Sequence, residues 1–341
     1  MKEALLKYDF TNGGLNIGDY VQSLAAKQFL NDTNPILISR EDLDQFNVEP
    51  VKLIMNGWFL LKGENFPPNE KITPLLVSHH INKSVHKHFN RQKVLDFYKK
   101  HEPVGCRDYF TVDFLKGFGI DCYYTGCLTL TLSEKYSSEE KNNTIYFVDP
   151  RYKKLRGVFG KLKMGYLFIS KFNTIRKIRE RYLRTNNTKS WKKTISFYSA
   201  FSQLFEDEVL TNAIYIKHYL PAKNFKNDAE IFSYTEQLLK KYASAQYIVT
   251  SRIHCALPSL SLGTPTLYID IPNDHDISIC RLNGIKELFH IIHTNGTKLS
   301  CDIMKSREKF NLKSTFKNKD DFKIIRDNLK ETVLNFTKKQ L

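Results

Sequence analysis

The stretch Gln246 to Pro258, QYIVTSRIHCALP, leaves this chain few ways to fold. A short β-branched run ends in Ser251, Arg252, Ile253 and His254. Small and apolar residues then lead to Gly263-Thr264-Pro265 and a second apolar run, Thr266 to Ile269. β-Branched residues favour strands and a Gly-x-Pro turn interrupts both strand and helix, so the order reads strand, tight turn, helix, strand, the repeating unit of a parallel sheet. Ser251 stands where a helix N-cap belongs. The first turn of a helix has backbone N–H groups with no intrahelical partner, here beside one permanent cation and one titratable ring. Such a constellation suits an anionic phosphate.

The same pattern recurs upstream. Residues 4 to 10 form a first strand, followed by Asn12-Gly13-Gly14-Leu15-Asn16-Ile17-Gly18-Asp19 and a helical pattern with apolar residues at 21, 24, 25, 29 and 30. Asp19 falls at the expected N-cap, and the glycines allow close backbone approach, though not in the G-x-G-x-x-G spacing of a dinucleotide fold. Further strands are predicted at 51–55, 75–78, 104–106 and 122–124, with helices near 84–100 and 109–117. They run into polar residues: Asn56-Gly57-Trp58, Ser78-His79-His80, Arg107-Asp108 and Thr125-Gly126. In an open parallel sheet, ligands lie outside the carboxyl ends of the strands, which is where these residues fall. Caps and turns account equally well for Asn56, Ser78 and Asp108. Arg107 is different, because an arginine directly after a buried run calls for an anionic partner.

A polar stretch, 133–143, separates this half from a new strand at 144–149, so the expected domains are 1–140 and 141–341. In the second half a strand at 213–217 ends in His218, a helix covers about 228–243, and a C-terminal helix covers about 320–338. At 341 residues the chain has room for two full cores. Six cysteines show no C-x-x-C pairing and read as reduced, buried thiols; no metal and no cofactor is expected. The opening residues lack a signal-peptide pattern and no apolar run has spanning length, which predicts a cytoplasmic protein. The net charge is +16, and its distribution is uneven. Between Arg151 and Lys193 stand fifteen Lys or Arg against one acid, Glu180. A solvated face is the default for such a run. Interleaved aromatics make 151–193 a candidate contact for an anionic membrane, at the inner face of which the protein would then work.

Taken together, Asn16-Ile17-Gly18-Asp19, Met55-Asn56-Gly57-Trp58-Phe59, Val77-Ser78-His79-His80-Ile81-Asn82, Gly105-Cys106-Arg107-Asp108, Thr125-Gly126-Cys127-Leu128-Thr129 and Thr250-Ser251-Arg252-Ile253-His254 resemble the polysaccharide pyruvyl transferases. The resemblance implies an α/β fold of two Rossmann-like domains facing a cleft, similar to the glycosyltransferase-B architecture. It also implies phosphoenolpyruvate as donor and a pyruvate ketal placed across two hydroxyls of a cell-surface sugar, lipid-linked or free. Residues matching Arg252 and His254 are associated in the family with donor binding and catalysis.

The chemistry of the residues fits. Phosphoenolpyruvate carries a carboxylate and a phosphate, which Arg252, the helix start at Ser251 and Ile253, and Arg107 are suited to hold. Ketal formation needs a proton delivered to the enol carbon, and His254 is the candidate acid. Asn16, Gly18, Asp19, Asn56, His79, His80, Thr125 and His218 are candidates for the acceptor side or the cleft. One departure concerns a lysine that some family members carry beyond the strand after the Gly-x-Pro turn. Here 270–279 has none, and Arg281 is the nearest cation. Two other classes compete: a nucleotide-sugar glycosyltransferase of the same architecture, since fold does not fix function, and a basic protein that binds nucleic acid or a membrane surface through 151–211. Nucleic acid is the less expected partner.

Overall fold

Two six-stranded sheets, rather than one, organise the computed structural model, which describes residues 1–9, 13–182, 188–270, 282–305 and 307–338. In the first half the strands are β1 (Lys2–Lys7), β2 (Gly14–Asn16), β3 (Ile36–Ser39), β4 (Val51–Phe59), β5 (Ile72–Ile81), β6 (Val104–Cys106) and β7 (Cys122–Tyr124). Six of these form a parallel sheet in the order β3-β1-β4-β5-β6-β7. The second half contributes β8 (Ile145–Val148), β9 (Ile214–Ile216), β10 (Tyr219–Pro221), β11 (Tyr247–Thr250), β12 (Thr266–Asp270), β13 (His290–Asn295) and β14 (Lys298–Cys301). Its sheet runs β14-β13-β12-β11-β8-β9 and is parallel except for β14. The whole is a mixed α/β structure with twelve α-helices among the described residues.

Both sheets share one topological property. The first strand of each, β1 or β8, lies inside the sheet, with the second strand on one side and the third on the other. The order in which strands are added therefore reverses beside it, the switch point at which open parallel sheets form a crevice outside the carboxyl ends of their strands. The strands are apolar on both faces, as parallel strands covered by helices must be; every residue of β8 and β11 is buried.

The helix Ile17–Lys27 sits between the halves. It packs on β1 and β4 and also on the helices Asp228–Ala243 and Ile253–Ser261. Ile17, Tyr20, Val21, Leu24 and Ala25 are fully buried, and each large aliphatic among them contributes about 1.5–3 kcal/mol. Its N-cap is Asn16, whose side chain accepts from the Gly18 N–H at 3.2 Å; Asp19 lies in the first turn instead of at the cap. A second tie is the antiparallel ribbon of β2 and β10, extended where Ile17 N–H donates to the His218 carbonyl at 2.8 Å. The Tyr20 hydroxyl donates to Asp228 at 2.8 Å. At the other end of the chain, the helix Phe322–Thr337 buries Leu329 and Val333 in the apolar cluster that also holds the first sheet.

Several boundaries shift from the sequence expectation. The first strand ends at Lys7, and the helix expected over 84–100 divides into His86–Phe89 and Gln92–Lys100. The strands β2, β3, β10, β13 and β14 lie outside the sequence expectation. Cys106, Cys122, Cys127, Cys255 and Cys301 are buried free thiols.

Candidate active site

A cavity of about 230 Å³ lies where the carboxyl ends of the two sheets meet. Trp58, Asn82 and Arg107 reach it from the ends of β4, β5 and β6. Arg151, His218, Ser251 and Arg252 reach it from the ends of β8, β9 and β11, and Tyr268 from β12. Asn16, Gly18 and Asp19 close it from the start of the helix Ile17–Lys27, and Ile253 and His254 from the start of the helix Ile253–Ser261. The sequence stretch that reads as an anion site thus forms one wall.

On that wall Arg252, not Ser251, is the helix N-cap residue. The Ser251 hydroxyl instead donates to the Asp149 carbonyl at 2.5 Å, and the Arg252 N–H is held by Thr250 Oγ1 at 3.0 Å. Asp149 turns out to be the hub. One of its carboxylate oxygens accepts from Arg252 Nε at 2.8 Å and from the His218 N–H at 3.0 Å. Held through Nε, the guanidinium keeps its two terminal nitrogens clear of hydrogen bonds to the described residues, so they remain available to a ligand. The His218 ring bonds the Tyr242 hydroxyl at 2.7 Å. Burial lowers its pKa to about 4, against the raising field of Asp149, which keeps it neutral at pH 7.

His254 has φ −84° and ψ 16°, outside helical values although inside the helix. The cause is four residues on: Pro258 has no N–H to give the His254 carbonyl, and its ring crowds that carbonyl. The kink therefore falls on a residue that lines the cavity. Across from it, Gly18 approaches so closely that a Cβ there would lie 3.0 Å from His254 Cβ and 3.3 Å from Nδ1. A side chain at position 18 would therefore press on His254, which would have to give by a few tenths of an ångström.

The opposite wall carries Arg107, which is 2% exposed. Its Nε stands 3.6 Å from Asp108 and makes no hydrogen bond, nor does any other atom of the guanidinium bond the described residues. Asp108 is committed elsewhere. It caps the helix Tyr109–Lys116 through Thr111 N–H at 3.0 Å and pairs with His80 Nδ1 at 2.6 Å. Burial would raise its pKa, but His80, Arg107 and Thr111 together hold it below the usual carboxylate range. Beside Arg107, Trp58 is fixed by the Arg40 guanidinium, which lies 4.7 Å over its ring and 5.0 Å over that of Tyr8.

Nine sequence candidates come together around the cavity: Asn16, Gly18, Asp19, Arg107, His218, Ser251, Arg252, Ile253 and His254. Four do not line it. Asn56 donates to the Gln22 carbonyl at 2.9 Å and pins a helix to β4. Thr125 accepts from the Ser78 N–H at 3.1 Å and donates to the Cys106 carbonyl at 3.0 Å, tying the ends of β5, β6 and β7 together. His79 is stacked on Phe59 and bonded to the Tyr98 hydroxyl at 2.9 Å; burial lowers its pKa to about 3. His80 serves Asp108. Arg281 lies outside the described residues. Sequence reasoning missed Arg151, Trp58, Asn82 and Tyr268 as lining residues. Arg151 was absorbed into the basic segment; it stands three residues past the end of β8, whereas Arg107 follows β6 directly. Among the described residues, no group of three or more His, Cys, Asp or Glu side chains is arranged to hold a metal ion.

Comparison with known proteins bears on this geometry. A solved structure from Klebsiella pneumoniae, described only as functionally uncharacterised, is 15% identical over 84% of this chain and 88% of its own, with a TM-score of 0.41. That likeness is too loose to support an argument. No curated protein shows significant similarity to the chain. The family model for polysaccharide pyruvyl transferase, however, matches residues 16–273, from the Asn16 cap on one wall through the Ser251-Arg252-Ile253-His254 turn on the other. With more than half its length matched, the chain belongs to the polysaccharide pyruvyl transferase family.

Proposed function

We propose that the protein transfers the enolpyruvyl group of phosphoenolpyruvate to two hydroxyls of one sugar in a polysaccharide or its precursor, forming a pyruvate ketal and releasing phosphate. The observation that carries this reading is Arg107, a buried guanidinium that lines a cavity and makes no hydrogen bond to the described residues. Its neighbour Asp108, 3.6 Å away, is hydrogen-bonded to Thr111 and paired with His80, so the donors of Arg107 are left for a ligand, and Arg252 and Arg151 line the same space. Three arginines suit a small donor with both a carboxylate and a phosphate, as planar guanidiniums hold each group by paired hydrogen bonds.

In this reading His254 delivers a proton to the methylene carbon of the donor, and positive charge develops at C2. The first acceptor hydroxyl adds there and gives up its proton. Phosphate then leaves with its bridging oxygen, and the second hydroxyl closes the ketal. Asp19, the carboxylate among the lining residues, and His254 in its deprotonated form receive the two hydroxyl protons. Arg107, Arg151 and Arg252 hold the charge on the departing phosphate. Trp58 offers an aromatic face to the acceptor ring. The two sheets are proposed as two Rossmann-like domains, 1–140 and 141–341, in a glycosyltransferase-B-like arrangement, a reading supported by the strand-order reversal in each.

The test is phosphate release from phosphoenolpyruvate with galactose-, mannosamine- and glucose-containing acceptors, run beside nucleotide-sugars as competing donors. Acceptor-dependent release that falls about 10²–10⁴-fold in His254→Ala supports the proposal. Turnover of a nucleotide-sugar with none of phosphoenolpyruvate would overturn it.

A further inference from the structure

We infer that the helix Gly157–Ser170 docks the protein onto an anionic lipid surface. Val158, Phe159, Leu162, Tyr166 and Ile169 are between 66% and 88% exposed. At about 100° per residue these five side chains fall within one arc roughly 100° wide. Lys161 and Lys163 flank that arc on either side. The reverse face is also apolar: Met164 and Leu167 pack on the second core, and Gly160 is buried against Leu155. A helix of a water-soluble domain ordinarily shows one apolar stripe, toward its core. This one shows two, and one of them is bare.

Charge decides what covers it. The surrounding segment, Arg151 to Lys193, carries fifteen cations and one acid, so its partner is anionic. Nucleic acid would engage the cations but would leave an aliphatic stripe of Val, Leu and Ile in water, since its bases offer stacking faces to aromatic rings. A membrane of acidic phospholipids answers both features: headgroups meet the lysines and acyl chains take up the stripe. Fourteen residues extend about 21 Å, short of the hydrocarbon thickness, so the helix lies in the interface instead of crossing. Residues 152–156 connect it directly to Arg151 in the cavity wall, which brings the site close to an acceptor held on a lipid.

Docking is independent of the chemistry proposed for the cavity: vesicle sedimentation reads one and phosphate release the other, so either can fail alone. The full chain is to be sedimented with vesicles of phosphatidylcholine alone and with added phosphatidylglycerol. Binding is expected only with phosphatidylglycerol, to weaken as salt rises, to fall at least tenfold in Phe159→Ser/Ile169→Ser and about fivefold in Lys163→Ala. Unchanged thermal unfolding of these surface variants shows that they fold. The inference is overturned if the wild-type chain binds neither vesicle, or if the double variant binds as well as wild type. It is equally overturned if the apolar substitutions instead dissolve a dimer that shows no vesicle binding, or if the chain binds nucleic acid and not vesicles.

Discussion

The two walls of the cavity are built from the same parts at different depths. Each has an arginine beside an aspartate: Arg107 with Asp108 from the first sheet, Arg252 with Asp149 from the second. Each half also has a buried neutral histidine bonded to a tyrosine hydroxyl, His79 to Tyr98 and His218 to Tyr242. In the first half the aspartate is fully buried and shared among His80, Thr111 and the arginine. In the second the Arg252 side chain is a third exposed and its aspartate takes it squarely through Nε. Depth thus separates two jobs. The deep pair is part of the fold and waits for an anion; the shallow pair orients an arginine that a ligand meets on entry.

This contrast can be broken by substitution. Arg107→Met removes the arginine beside the fully buried Asp108 carboxylate, leaving it to His80 and Thr111, and is expected to cost about 3 kcal/mol in urea unfolding. Arg252→Met is expected to stay within about 1 kcal/mol, because a partly exposed pair is screened by water. Equal losses would erase the distinction between the walls.

Acid sharpens the second half of the comparison. His79 and His218 have folded-state pKa values of about 3 and about 4, below the 6.5 of an ordinary histidine. Below pH 6.5 the unfolded chain takes up protons that the folded chain refuses, so stability falls with falling pH until the native rings protonate near those lower values. At pH 5 each ring costs about 2 kcal/mol relative to pH 7. Unfolding of His79→Gln and of His218→Gln at both pH values should show each variant losing roughly that much less than wild type. An unchanged pH slope in both would contradict the assignment of neutral buried rings.

A smaller effect is expected at the kink. Pro258→Ala restores an N–H to the His254 carbonyl and lets the first helical turn straighten. Turnover is expected to fall about tenfold with KM for phosphoenolpyruvate within about twofold, since His254 is displaced while the arginines stay. A change in KM alone would place His254 in binding.

Much of this was legible in the sequence, for physical reasons that can be named. Parallel strands in a sheet covered on both faces read as short apolar runs, so β6, β7, β11 and β12 were found close to their observed bounds. The residue after a strand lies at the ligand end of such a sheet, which brought Arg107 and His218 into view. The same rule failed for Asn56, His79, His80 and Thr125, because a polar residue near a strand end also serves to tie neighbouring strands together. Only packing decides which. Asp149 looked like the last residue of a strand; that its carboxylate faces Arg252, some hundred residues later, is set by β8 and β11 pairing side by side. The exposed helix Gly157–Ser170 was hidden for the opposite reason. With apolar residues on two faces it shows no clean periodicity, and its cations dominated the reading.

The most direct measurement is equilibrium binding of phosphoenolpyruvate by calorimetry to the wild-type chain, Arg107→Lys and Arg252→Ala. Binding to the wild type that weakens at least tenfold in each variant, with folding intact, is the predicted result, since both walls then grip one donor. No binding to the wild type, or equal affinity in all three proteins, would contradict the account of the cavity as a donor site shared by the two sheets.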